Sequence, residues 1–239
     1  GAVVSEIFLT NHILHPIQNA MDMFERIRQT QDYSLRMPVE SKDELGKMAE
    51  GINELMDYVE EKHEQEKNAQ QKLQMQADSD PLTGVMNKRA FEAYAREKAE
   101  YAAKHGEQII FGFLDVDDFK KFNTEYGHQQ GDEILCYVAQ TLQSLFPGEV
   151  GRIGGDEFVF CYVGEISGEQ IKADANTVIE RLAEEYQSTT EDCHMAITGS
   201  LGVVTTKKSL DYIELVRCAD LAMYRAKDQG KNIAVVLEV

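Results

Sequence analysis

Basic residues are scarce. Against 42 Asp and Glu the chain sets only 24 Lys and Arg, a formal charge of -18 over 239 residues. With no basic surplus to neutralise a phosphate backbone, nonspecific nucleic-acid binding is excluded. A nucleotide held through a metal and a few lysines is not. Long apolar runs are missing too, and no stretch is long enough to span a bilayer. The opening Ala2-Val3-Val4-Ser5-Glu6-Ile7-Phe8-Leu9 is apolar but short, with no basic residues before it, which argues against a signal peptide. Paired cysteines are lacking: Cys136, Cys161, Cys193 and Cys218 form no CxxC and no metal-finger spacing. Their apolar surroundings predict buried reduced thiols, which favours the cytosol. The remaining composition, 43% hydrophobic and 28% charged, is ordinary for a soluble globular protein of one or two domains.

What is present divides near residue 78. Ile13, Ile17, Ala20, Phe24 and Ile27 recur at the four-three spacing of a heptad seam, and Leu45, Met48, Ile52, Leu55 and Val59 repeat it. Ser41 and Glu44 have the spacing of a capping box opening the second helix. Leu35-Arg36-Met37-Pro38-Val39 reads as an extended connector with alternating apolar residues. Two such helices cannot bury both seams alone. A parallel dimer forming a four-helix bundle would bury them, and a helical hairpin packed on the second domain is the other arrangement. From Glu60 to Lys72 the chain is polar, rich in helix formers and free of breakers, so the second helix continues as a stalk. Val59, Glu66 and Leu73 keep a seven-residue spacing with a charge in the middle, which fits a weak coiled coil or a solvated single helix.

Pro81 ends that helix. Beyond it helices and strands alternate: helix 90–104, strand 108–114, helix 132–146, an acidic hairpin about Asp156, helix 171–186, strand 196–204, helix 212–229 and strand 233–237. That pattern predicts an α/β sandwich.

The chemistry concentrates at two acidic clusters. Gly154-Gly155-Asp156-Glu157-Phe158 leads into the β-rich run Val159-Phe160-Cys161-Tyr162-Val163. Glycines admit a close backbone approach, and carboxylates at a tight tip suit a hard cation with oxygen ligands. Read alone, the segment is equally an exposed acidic turn. Asp115 ends the apolar strand Ile109–Leu114, with Asp117 and Asp118 following. A carboxylate at the end of a buried strand is costly unless a partner such as a cation offsets it. Asp115 and Asp117 alternate onto one face, and only Asp115 is expected to stay close to the sheet. Asp115 and Asp156, from adjacent strands, would hold a divalent metal, with Glu157 adding a ligand or accepting a proton; an Asp-rich strand-end turn is the plain alternative. Asn123 and Asp132 flank a glycine-containing turn. An Asp can accept both donors of a guanine edge and an Asn can serve an acceptor, while Asp132 can equally be a helix N-cap. Lys227 and Lys231 bracket Gly230, where they would meet phosphates or simply complement a helix C-terminus.

Two resemblances follow. Pro16 in the first helix and Asp43-Glu44-Leu45-Gly46 opening the second resemble the HAMP domain. This implies that residues 1–10 are the inner end of a transmembrane helix, 11–62 a HAMP-like dimeric bundle and 63–78 a helical stalk. It also implies a sensor outside this sequence, and a full-length protein tethered at the cytoplasmic face of the bacterial inner membrane. Residues 79–239 resemble the GGDEF diguanylate cyclase family. The resemblance rests on Asp80-Pro81-Leu82-Thr83-Gly84, Leu114-Asp115-Val116-Asp117, Phe119-Lys120, Asn123, Gly127-His128, Gly131-Asp132 and Gly154 to Phe158. It extends through Ala219-Asp220, Tyr224, Ala226-Lys227 and Gly230-Lys231-Asn232.

The second resemblance implies a fold like the palm of nucleotidyl cyclases and polymerases, and condensation of two GTP into cyclic di-GMP by two facing subunits. It assigns metal ligation to Asp115, the Val116 carbonyl, Asp156 and Glu157, with Mg2+ as the ion and Mn2+ as a substitute. It gives guanine to Asn123 and Asp132, and phosphates to Lys120, Lys227 and Lys231. Phe119, Gly154 and Gly155 complete the substrate site. Many members carry an RxxD product site, where this chain has Leu145 and Gly148. Lys231 stands where Arg is common, and Lys88 likewise follows Asn87; a lysine keeps the charge and loses the bidentate fork. Two other readings compete with an active, dimerisation-controlled cyclase: a silent GTP-binding module, and a transmitter whose output is dimer geometry.

Overall fold

In the computed structural model residues 14–185 and 197–239 are described. The chain divides into two compact units, residues 1–74 and 75–239.

In the first unit helix α1 (His15–Thr30) begins with Pro16 in its first turn, where a missing N–H is no loss. It stops at Gln31, whose φ of 55° turns the chain left-handed. Helix α2 (Glu44–Asp78) is unbroken over 35 residues. Its cap differs from the sequence expectation. Asp43, not Ser41, serves the free N–H groups, accepting from Leu45 at 3.1 Å and Gly46 at 3.2 Å, while the Ser41 hydroxyl donates to Asp43. A carboxylate both accepts more strongly and complements the helix dipole.

The connector is lashed to α2. Asn53 exchanges two hydrogen bonds with the Met37 backbone, at 2.7 and 2.9 Å. Arg36 donates to Asp57 and Glu60, and to the carbonyls of Tyr33 and Leu35. Met37 is thereby driven into a small core with Ala20, Met23, Ala49 and Met56. The heptad residues divide. Ile27 and Ile52 pack against this core, whereas Ile17, Phe24, Met48 and Leu55 stay exposed in the single chain. Ile13 lies outside the described residues.

The second unit is a six-stranded mixed sheet in the order β1-β3-β4-β2-β5-β6. Its elements are β1 (Met86–Asn87), α3 (Lys88–His105), β2 (Ile109–Val116), α4 (Phe119–Tyr126), α5 (His128–Leu145), β3 (Val150–Arg152), β4 (Glu157–Val163), α6 (Gly168–Glu185), β5 (Gly199–Thr206), α7 (Tyr212–Asp228) and β6 (Ala234–Glu238). Central β2 runs antiparallel to both β4 and β5, and the outer pairs β1–β3 and β5–β6 are parallel.

The two-residue period of a strand sorts the core. Ile110 and Leu114 face α5 and α6, packing with Ile134, Val138, Leu142, Val178 and Leu182. Ile109, Phe111 and Phe113 face α3 and α7, packing with Phe91, Ala95, Leu215 and Ala219. Asp115 continues the second set and so points to the α7 side. Tyr186 and Ala196, expected at element ends, lie outside the described residues, as does Cys193. Of the other cysteines only Cys161 is buried, and burial pushes its thiol up to about 12. Cys136 and Cys218 are half-buried rather than buried, and all three are free thiols.

Candidate active site

The site forms where β2 ends beside the β3–β4 hairpin. Asp115 is in register with Glu157 across the β2–β4 pair. The Val116 N–H donates to the Asp156 carbonyl at 3.1 Å, which fixes the tip beside the strand end. Lys227, from the last turn of α7, reaches Asp115 at 2.7 Å; the Asp115 side chain is 14% exposed and that of Lys227 33%. Burial raises the Asp115 carboxyl above its ordinary value, Lys227 pulls it back, and the charges of Asp156 and Asp117 push it up again. Burial, then Asp115, Asp156 and Asp220, raise Glu157. Gly154 gives that side chain room, since an added Cβ would strike the Glu157 carboxylate.

Asp117 corrects the sequence expectation. It is the more deeply placed aspartate, 5% exposed. It accepts from the Thr198 hydroxyl at 2.9 Å, the Ser200 hydroxyl at 2.7 Å and the Asn232 N–H at 3.1 Å. Three donors repay its desolvation, so it is structural. Asp118 follows with φ 55°, and both its oxygens lie 2.8 Å from the Lys231 ammonium. That contact lowers the Asp118 carboxyl and raises the Lys231 amine.

The hairpin tip is also held from outside. Arg152 donates to the Gly155 carbonyl through Nε at 3.1 Å and Nη2 at 2.6 Å, and through Nη1 to Asp80 at 3.0 Å. Burial pushes the Asp80 carboxyl up, but the Thr83 hydroxyl and N–H and the Arg152 charge outweigh it and leave it lowered.

Asn123 and Asp132 sit on α4 and α5, either side of Gly127. Asp132 is not an N-cap: α5 starts at His128, four residues earlier, and Asp132 is exposed. The Asn123 Oδ1 is buried with no partner among the described residues, wedged where Gly131 lacks a Cβ. An orphaned buried acceptor costs about 1–3 kcal/mol, which a ligand N–H would recover once the amide turns. Lys120 is exposed on the first turn of α4, and Phe119 beside it packs partly against the core.

No group of three or more His, Cys, Asp or Glu among the described residues forms a complete metal cage. The donor set is nonetheless suited to a hard cation. Carboxylates crowd their negative charge here, a divalent ion relieves that repulsion, and Mg2+ commonly completes its shell with water and substrate phosphate.

The sequence did not reveal Asp80, Arg152 or Asp118 as parts of this site. Asp80 meets Arg152 across 72 positions and Asp118 meets Lys231 across 113, and the one local sign was an arginine two positions before the glycine pair.

A mixed sheet with acid at the β2 end and on a facing glycine hairpin, and with one lysine from the last turn of α7 and another from the loop after it, defines a nucleotidyl-cyclase type of domain. The family model for the diguanylate cyclase GGDEF domain matches residues 77–233, and that for the HAMP domain matches residues 8–61. The chain belongs to the GGDEF diguanylate cyclase family.

The diguanylate cyclase TpbB of Pseudomonas aeruginosa is 28% identical over 238 residues, covering 97% of this chain and 54% of that protein. The probable diguanylate cyclase DgcC of Escherichia coli is 32% identical over 164 residues, covering 67% of this chain and 43% of that protein. The chain thus spans about half the length of the curated relatives it matches. Among solved structures, the coiled coil and GGDEF domain of DgcB from Caulobacter crescentus, in complex with c-di-GMP, superposes with a TM-score of 0.68 at 28% identity. It covers 77% of this chain and 97% of that one.

Proposed function

We propose that this protein is a diguanylate cyclase that condenses two GTP into cyclic di-GMP and releases two pyrophosphates. Each 3′-oxygen forms a bond to the α-phosphorus of the other nucleotide. The bond from that phosphorus to pyrophosphate breaks, and the hydroxyl proton passes to a base or to solvent. The observation that carries the reading is the half-buried Asp115–Lys227 pair, set beside the Asp156 tip.

Asp115, the Val116 carbonyl, Asp156 and Glu157 would hold Mg2+, or Mn2+ in its place. The bound ion neutralises triphosphate charge and polarises the reacting phosphoryl group. Glu157, raised by burial and then by its acidic neighbours, either adds a ligand or takes the proton. Lys120, Lys227 and Lys231 hold phosphates. Asp132 accepts the two N–H donors of guanine, and Asn123 exchanges its unsatisfied buried contact for one with the base. Phe119, Gly154 and Gly155 border the nucleotide. Incubation of the chain with GTP and Mg2+ tests the proposal. Cyclic di-GMP and pyrophosphate are expected in a one-to-two ratio, and GTP bound but unconsumed would sink it.

Each subunit carries half of the reacting centre, so two must face each other. We assign residues 11–62 to a HAMP-like signalling region, 63–78 to the stalk and 79–239 to catalysis. Exposed Ile17, Phe24, Met48 and Leu55 supply the homodimer seam. The HAMP match supports a membrane tether in the whole protein. Among the described residues no helix is long and apolar enough to cross a membrane.

Helix α2 has no break, so one residue inserted beside Lys67 turns everything downstream by about 100°. A strong change in turnover is expected in that variant, and an unchanged rate removes stalk geometry as the control. Product feedback is expected to be absent at the Leu145 and Gly148 positions. Leu145 is apolar, and Gly148 sits at φ 75° in a turn without a side chain. Titration of turnover with cyclic di-GMP checks this, and inhibition in the low micromolar range counts against it.

A further inference from the structure

Lys227 in the last turn of α7 and Lys231 in the loop after it are both already paired with aspartates at the end of β2 and just beyond it: Lys227 with Asp115, and Lys231 with Asp118. The two pairs differ in what the aspartate does when a nucleotide arrives. Asp115 would have a second partner in the proposed cation, which would free Lys227 for phosphate. Asp118 has no such exchange in the proposed site. It lies one residue beyond the buried Asp117 anchor, on the exposed side of the loop.

Its position is imposed by the backbone. Asp118 holds φ 55°, and the facing loop places Gly230, Lys231 and Asn232 at φ 116°, 64° and 51°. The Lys231 N–H is tied to the Ala226 carbonyl at 3.1 Å, and the Asn232 N–H to Asp117. Two successive non-glycine residues with positive φ are costly, as is Asp118 itself. An exposed lysine–aspartate pair returns little stability. The pair is therefore poorly explained as a means of holding the fold together.

We propose that Asp118 is a built-in competitor for the substrate phosphate: it occupies Lys231 in the nucleotide-free protein and so weakens ground-state binding of GTP. The inference rests on the assignment of Lys231 to the phosphates. Both carboxylate oxygens face the ammonium, as two phosphate oxygens would, so a triphosphate entering there must take Lys231 away from Asp118. Asp118 touches neither base nor reacting atoms in this account. It acts through Lys231, and it sets affinity.

The test is equilibrium binding of 3′-deoxy-GTP with Mg2+ to the full chain, a nucleotide that cannot condense. Four proteins are compared by calorimetry: unsubstituted, Asp118→Asn, Lys231→Met, and the double variant. Asn keeps the size of Asp and tolerates the left-handed region, so the variant is expected to fold; Asp118→Gly, free of that strain, gives a second measurement. Loss of the competing charge is expected to tighten binding about fivefold in both Asp118 variants, and loss of Lys231 to weaken it about tenfold. With Lys231 gone, Asp118→Asn is expected to change affinity by less than about twofold, because there is nothing left to compete for. Equal tightening in both backgrounds would mean a diffuse field effect and overturns the proposal, as does unchanged binding in Asp118→Asn while Lys231→Met weakens it. If Lys231→Met binds as tightly as the unsubstituted chain, the phosphate assignment of Lys231 fails together with the inference.

Discussion

Asp156→Asn is expected to lower turnover on the order of 10³-fold, the scale on which removal of one strong transition-state stabilising group is felt. The substitution keeps the shape of the side chain. It leaves untouched the Asp156 carbonyl, which accepts from Val116, and the Gly155 carbonyl, which accepts from Arg152. The hairpin therefore stays where it is, and what disappears is one negative charge beside Asp115 and Glu157. Both neighbours are raised by that charge, so its removal relieves repulsion in the metal-free protein. Thermal melting without divalent ions is expected to be unchanged or slightly higher, while GTP turnover collapses. A variant that turns GTP over at a rate comparable with the unsubstituted chain would remove Asp156 from the chemistry. A variant that loses activity and melting temperature together would point to a structural role instead.

Gly202→Ala is expected to destabilise the catalytic unit by about 3 kcal/mol, at the upper end for overpacking a close-packed core. Gly202 lies in central β5, in register with Phe113 of β2 and Val235 of β6. Directly above it runs α7. A Cβ there would overlap the Ala219 carbonyl oxygen and the Met223 nitrogen, which are backbone atoms of a helix and cannot swing aside as a flexible side chain would. The helix must lift from the sheet or the strand must buckle. For a domain of this size the cost corresponds to a melting temperature lower by about 6–12 °C. Activity is expected to fall as well, because Lys227 rides on the last turn of the same helix. Differential scanning calorimetry checks the first effect, and a melting temperature equal to that of the parent contradicts it.

How much of this was legible in the sequence depends on the range over which each feature is encoded. The continuous apolar run Ile109–Leu114 gave a buried strand ending at Asp115, because a strand covered on both faces carries apolar side chains on both. The acidic hairpin was equally plain, since glycine and carboxylate at a tip are local chemistry. Boundaries moved where short-range cues compete. Asp132 resembles an N-cap, yet α5 begins at His128, with Gly127 at φ 90° turning the chain ahead of it. The two-residue strand β1 and the eight-residue helix α4 were too short to announce themselves by periodicity. The roles of Asp117 and Asp118 were out of reach for a different reason. Asp118 meets Lys231 across 113 positions, and the Asp117 acceptors are filled from β5, from Thr198 just before it and from the segment after α7. Three consecutive-looking acids turned out to have three different partners, which composition cannot distinguish.

Arg152 has a consequence that concerns routing. Its guanidinium grips the hairpin tip on one side and Asp80 on the other, with the two side chains only 14% and 18% exposed. Asp80 comes two residues after the last residue of the long helix. A displacement at residue 78 therefore has a short path to Gly155 that runs through the side chains of Asp80 and Arg152. Substitutions in β2, β5 or β6 leave that path open, whereas a change at Arg152, the last residue of β3, disconnects it.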